Sequence, residues 1–263
     1  MRLFLFLSFL TFSVSAEPLK IKITGDDWGE ANKQDLLKVL QSAGDSIWKH
    51  CPDIKLPPVQ VGNSKESPIS LFKRAPNGDL QVKLTSKDLF WAQHAYQFAH
   101  EIGHCLCRFK KGDKSNMWFE ESVCETASLF ALRAMSQEWK TKPPYPHWKN
   151  YSKALYDYAE RLLKDPERSL PENTTLGKWF KDNRDYLVKN STDRKKNAVA
   201  AKELLPLLEK DPKQWQAFYW INEKRTDKAV SFEVYLENWE QSVPEKHKEF
   251  VRMVRKLFEI GEK

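Results

Sequence analysis

Apolar residues alternate with polar ones along this chain only before residue 86. Leu19, Ile21 and Ile23 alternate with polar neighbours, and Leu80, Val82 and Leu84 alternate with Gln81, Lys83 and Thr85. A period of two puts one face of a strand in a core and the other in water. Between these runs, Leu36, Leu40, Ala43 and Ile47 recur at helical spacing from about Asp35, and Pro57-Pro58 introduces a short strand at Val59 to Val61. Ile69 to Arg74 and Leu80 to Thr85 flank Ala-Pro-Asn-Gly-Asp at 75–79, a turn composition that predicts a hairpin. From Leu89 onward every periodic stretch is helical. The pattern predicts an α+β fold, a small mixed sheet with its helices followed by an all-helical C-terminal region.

Two helices are expected next, about Leu89 to Cys107 and Trp118 to Met135. The stretch QEWKTKPPYPH at 137–147 carries three prolines, which no helix interior accommodates, and is the expected linker between an α+β part at 17–136 and a helical part at 148–263. The helical part divides into Trp148–Leu163, about Leu176–Val188, Ala198–Glu209 bent at Pro206, Gln214–Asn222 and a final pair. Ser242-Val-Pro-Glu245 has the form of a capping box before the last helix, whose stripe is Phe250, Val254 and Leu257.

MRLFLFLSFLTFSVSA at 1–16 has one basic residue, an apolar run and small residues at its end, the build of a secretory signal peptide cleaved after Ala16. The run is shorter than the roughly 20 residues that span a bilayer, so export without stable membrane insertion is expected. Ten tryptophans argue against disorder. A net charge of +7 without a dominant basic block, and without the basic-aromatic motifs of nucleic-acid readers, leaves no case for nucleic acid. A monomer is the expected state.

The stretch YQFAHEIGHCLCRF at 96–109 carries the chemistry. Residues four apart on an α-helix are separated by about 400°, so His100 and His104 project from nearly one face, about one turn apart. Two imidazoles so spaced can bind one Zn²⁺. Glu101, rotated about 100° from His100, stands beside such an ion, where it can take a proton from water and return it to a leaving amine. Tyr96, Phe98, Ala99, Ile102 and Leu106 surround the pair with apolar side chains, and buried histidines need partners.

The following stretch, MWFEESVCETAS at 117–128, completes a pattern. His-Glu-Ile-Gly-His followed by a Trp-x-x-Glu-x-x-x-Glu helix resembles the gluzincin branch of the zincin metallopeptidases, which includes thermolysin-like peptidases and zinc aminopeptidases. The resemblance implies a Zn²⁺ held by His100, His104 and Glu121, with Glu101 as general base and Glu125 accepting the outer N–H of a liganding histidine. Glu121 and Glu125 lie on one face of their helix, so the exchanged assignment stays open. Glu120 stands where those families carry Asn. Lys110 occupies the position of the third histidine of metzincins, and the aminopeptidase substrate-amine motif is absent. Aminopeptidase activity is therefore not implied; the resemblance implies an enzyme acting on a peptide or protein substrate, with Leu80–Thr85 placed as the edge strand that binds it. An oxyanion-stabilising Tyr or His is also implied; Tyr145, His147 and Tyr151 are candidates.

Cys105 and Cys107 stand off the His100–His104 face by helical rotation. Export makes Cys51, Cys105, Cys107 and Cys124 candidates for disulfides, one of the helix pair bonding Cys124 and the other Cys51. A Cys105–Cys124 bridge is the expected staple between the two helices. His94, about 240° from His100, is expected to be a packing residue. The function expected is an exported zinc metallopeptidase. The alternatives are a peptidase-like binding or structural protein that keeps zinc without turnover, silence through an extra ligand such as a cysteine in the fourth position, and a zinc-free acidic-polymer binder using the basic loop 108–114.

Overall fold

A computed structural model describes residues 17–108 and 110–261; the signal peptide expected at 1–16 lies outside the described residues. The chain is a mixed helix and sheet protein. Four strands, β1 (Ile21–Ile23), β2 (Val59–Asn63), β3 (Ile69–Leu71) and β4 (Leu80–Leu84), pair in the order β1-β2-β4-β3. β1, β2 and β4 are parallel, with Val59 beside Ile21 and Val61 beside Val82, while β3 runs antiparallel to β4. The parallel β1–β2 pair requires a crossover, and α1 (Lys33–Trp48) supplies it. Asn32 caps α1, its side chain accepting from the Asp35 N–H at 2.8 Å.

The expected hairpin forms, but β4 is an inner strand and β3 is the edge. The reason is burial. Val82 and Leu84 are enclosed, whereas three-residue β3 leaves Ile69 exposed, and a short, partly exposed strand is what a sheet edge tolerates.

The sheet packs on α2 (Trp91–Leu106), and α2 packs on α3 (Met117–Trp139). α3 is buried on nearly every side, from Trp118 and Phe119 to Met135 and Trp139, because α2 covers one flank while α4 (Tyr151–Leu163) and α6 (Arg194–Lys210) cover others. The crossing of α2 and α3 centres on Gly103. A Cβ there would lie 2.9 Å from Cys124 Sγ and 3.0 Å from its Cα, so a larger residue would push the helices apart.

The remaining helices are α5 (Leu176–Lys189), α7 (Phe232–Ser242) and α8 (Glu245–Leu257), with 3-10 segments at Pro146–Trp148, Pro166–Arg168 and Pro212–Trp220. Pro206 sits inside an unbroken α6. The apolar core runs continuously from Leu19 to Phe258, so the 137–147 segment connects helices over one shared core rather than separating two. Trp118 and Phe119, at the start of α3, enter an aromatic nest with Phe180, Phe232 and Phe258; the Trp118–Phe232 and Phe119–Phe258 centroids are 4.8 and 5.6 Å apart. This nest fixes the acidic start of α3 from the C-terminal side. The expected capping box is not formed. Ser242 ends α7, donating to Asn238 O at 2.7 Å, and Pro244 precedes α8 without a side-chain cap. No described helix is long and apolar enough to cross a membrane.

Candidate metal centre

His100 and His104 stand one turn apart on α2, their ring centroids 5.2 Å apart. Across the helix crossing, Glu121 of α3 faces both. Its Oε2 is 3.2 Å from His100 Nε2 and its Oε1 is 3.6 Å from His104 Nε2. Two imidazole nitrogens thus converge on the two oxygens of one carboxylate. The His104 side chain is 7% exposed, while those of His100 and Glu121 are 15% and 12%, so the centre opens to solvent on the His100 side.

The second nitrogen of His104, Nδ1, lies 2.8 Å from Glu120 Oε1. The other oxygen of Glu120 accepts from Asn222 Nδ2 at 2.8 Å and from Arg225 at 3.2 Å. Asn222 also donates to Cys107 O at the end of α2 and accepts from the Tyr235 hydroxyl. Glu120 therefore orients His104, with Nδ1–H donating and Nε2 turned to Glu121. Glu125, expected in that role, is elsewhere: its carboxylate accepts from the Tyr96 hydroxyl and from Arg168. One further helical turn carries it past the histidines to the α4 side, where the Arg168 segment meets α3.

Glu101 is 2% exposed, and its Oε2 has no hydrogen-bond partner among the described residues. Its backbone carbonyl accepts from Ser70 Oγ of β3 at 3.1 Å, which ties the sheet edge to the His100–His104 turn of α2. A buried carboxylate oxygen without a donor is costly and marks a place where a cation, water or ligand is wanted.

The electrostatics agree. Burial disfavours a charged His104, but the hydrogen bond to Glu120 and the charges of Glu121, Glu120 and Glu101 outweigh it and push its pKa up to about 10. Burial opposes ionisation of Glu121 as well, yet the His100 hydrogen bond and both imidazoles hold its carboxyl below the usual range. Three carboxylates around two imidazoles form a site that concentrates positive charge. Cys124 belongs to the same neighbourhood: ligand atoms of His100, His104 and Cys124 all lie within 4.8 Å of one another, a cluster able to hold a metal ion.

Other expected residues lie off the centre. His94 is packed and satisfied, Nδ1 against Ser86 Oγ at 2.7 Å and Nε2 against Asp88 O at 3.1 Å. The Tyr151 hydroxyl accepts from Ala92 N–H at 3.2 Å, and eight residues of helix, about 12 Å, separate Ala92 from His100. Tyr145 and His147 stack on each other beside Trp148. All four cysteines are thiols. Cys105 faces Ser70 on the sheet side, because it is rotated about 200° from Gly103, so the Cys105–Cys124 staple is not formed. Asn222, Arg225 and Tyr235 carry no motif and were not expected.

Fold and site together define a mixed helix and sheet protein with a candidate metal centre between two crossing helices. No family model, curated protein or solved structure matches the chain.

Proposed function

We propose that this chain is an exported, monomeric, zinc-dependent metallopeptidase of gluzincin type, acting on a peptide or protein substrate. The observation that carries the reading is the convergence of His100 Nε2 and His104 Nε2 on the carboxylate of Glu121, with the unpartnered oxygen of Glu101 buried on the same helix. These residues fit a zinc ion: two neutral imidazoles and one carboxylate are a common catalytic donor set. A bound cation would also offset the excess of carboxylate at the centre.

His100, His104 and Glu121 would hold the ion, which when bound supplies Lewis acidity toward a carbonyl oxygen and toward water. Glu101 then accepts a proton from the attacking water and delivers it to the leaving amine. Its oxygen is free to do so because no protein donor occupies it. With zinc bound, Glu120 would keep the remaining His104 proton on Nδ1 and leave Nε2 to the ion, and Asn222 and Arg225 hold Glu120 in place. Ser70 fixes β3 beside Glu101, so an extended peptide pairing with this sheet edge would lie next to the base.

Metal analysis of the purified protein is expected to give about one zinc per chain, lost when both histidines are replaced by Ala. Cleavage of a mixed peptide library should stop on chelation and return with zinc. A native protein without metal, or cleavage insensitive to chelation, would overturn the proposal.

A second reading has its own observation. Cys124 Sγ lies within reach of both histidines, and a thiolate in the fourth position would make a closed zinc site without turnover. This reading needs Cys124 as a free thiol, whereas the peptidase reading needs only His100, His104 and the Glu121 carboxylate that faces them.

A further inference from the structure

Two buried thiols beside the centre, Cys107 and Cys124, take no part in the proposed hydrolysis. Cys107 closes α2, its N–H donating to Gly103 O at 2.9 Å, and it follows Gly103 by one turn on the same helical face. That face is the one Cys124 meets: a Cβ on Gly103 would stand 2.9 Å from Cys124 Sγ. One turn beyond Gly103, Cys107 is therefore on the side of α2 that faces Cys124. The other two cysteines are directed elsewhere. Cys105 meets Ser70 and lines a groove with Leu71, Phe72 and Arg74, and Cys51 points back at Ile47 O, 3.9 Å away.

We infer that Cys107 and Cys124 form a disulfide across the α2–α3 crossing, and that closing this bond removes Cys124 from the ligands available to the metal centre. The second half rests on the proposed function. A thiolate is a strong zinc ligand, but a disulfide sulfur carries no charge and is a poor one. The reduced chain would then hold a cluster of two imidazoles, a carboxylate and a thiol, the donor set of a closed site. The oxidised chain keeps the two imidazoles and the carboxylate, with a position open for water and substrate. In the oxidation, the two S–H bonds break, one S–S bond forms, and two protons and two electrons pass to a disulfide oxidant, which becomes a dithiol. Export would expose the folding chain to such oxidants before the two thiols are buried.

The wild-type protein, refolded with a glutathione redox pair, is denatured without reductant in iodoacetamide and digested with trypsin. The expected product links fragment 88–108 to fragment 115–133, with fragmentation placing the alkylated cysteine at Cys105 and the bridge at Cys107. Alkylation of both Cys107 and Cys124, or a bridge from Cys105, would overturn the disulfide. Cobalt(II) loading reads the second half. The oxidised protein should bind cobalt without a thiolate charge-transfer band, the reduced protein should gain that band, and reduced C124S should lose it. Reduced wild type that binds cobalt without the band would overturn the gating. If neither form binds cobalt, the metal reading and the gating fall together, while the linked fragments still establish the disulfide.

Discussion

Glu120→Gln changes one atom type at the point where the C-terminal half meets the centre. In the native chain one Glu120 oxygen faces His104 Nδ1, and the other takes two donors, from Asn222 and Arg225. A glutamine must give one of these up. If its oxygen stays with His104, its amide hydrogens confront Asn222 and Arg225. If it flips, the amide donates to Nδ1 and moves the imidazole proton to Nε2, the nitrogen turned toward Glu121. Losing such an orienting carboxylate costs about 10- to 100-fold in metal affinity, or about 1.4–2.8 kcal/mol. The apo protein should suffer too, because Arg225 is 8% exposed and loses its ion partner. Breaking a buried pair costs about 3–5 kcal/mol, and the low end applies because Arg225 Nε keeps its bond to Asp113 O at 2.9 Å. Competition with a chelator of known affinity measures the first number and urea unfolding of apo protein the second. Zinc affinity equal to that of the parent would refute the role given to Glu120, whatever the stability result.

Glu121→Ala should abolish stoichiometric zinc, whereas Glu125→Gln should leave zinc content unchanged and lower stability by about 1–3 kcal/mol through its Tyr96 and Arg168 partners; the opposite outcome in metal analysis would assign the ligand to Glu125. Gly103→Ala adds a Cβ 2.9–3.0 Å from Cys124, so it should destabilise by about 1–3 kcal/mol in urea unfolding, despite the roughly 1 kcal/mol that Ala gains in helix propensity. Burial, followed by the charge of Lys49, lowers the His50 pKa from 6.5 to about 4. The unfolded chain therefore binds the proton first, and the contribution is complete above pH 6.5 and lost as pH falls toward 4. His50→Gln should flatten the dependence of unfolding free energy on pH in that window, and an unchanged slope would contradict the assignment.

What the sequence revealed and what it concealed divide along local and nonlocal geometry. The period-two runs at Ile21–Ile23 and Leu80–Leu84 became strands because side-chain alternation is a property of the strand itself. The His100–His104 face was legible for the same reason, as was the packing role of His94. Strand order was not: whether β3 or β4 takes the edge depends on which strand the core encloses, and the hairpin turn is compatible with both. The choice between Glu120 and Glu125 as the partner of His104 depends on how α3 is rotated against α2. That rotation is set at Gly103–Cys124 and by Phe180, Phe232 and Phe258, residues far along the chain. The preferred Cys105–Cys124 staple failed on the same point, since Cys105 and Cys107 lie on different sides of α2. Asn222 and Arg225 stand 102 and 105 residues from Glu120, which they hold, and Tyr235 supports Asn222, with no motif to announce any of the three.

In the proposed hydrolysis, Glu101 is the base on which turnover depends. Parent and Glu101→Gln should be compared, with disulfides formed, for zinc per chain and for cleavage of one peptide library. The expected result is the same zinc content in both, about one per chain, with cleavage reduced by at least about 100-fold in the variant. Equal cleavage by both proteins, or a parent that carries zinc and cleaves nothing, would contradict it.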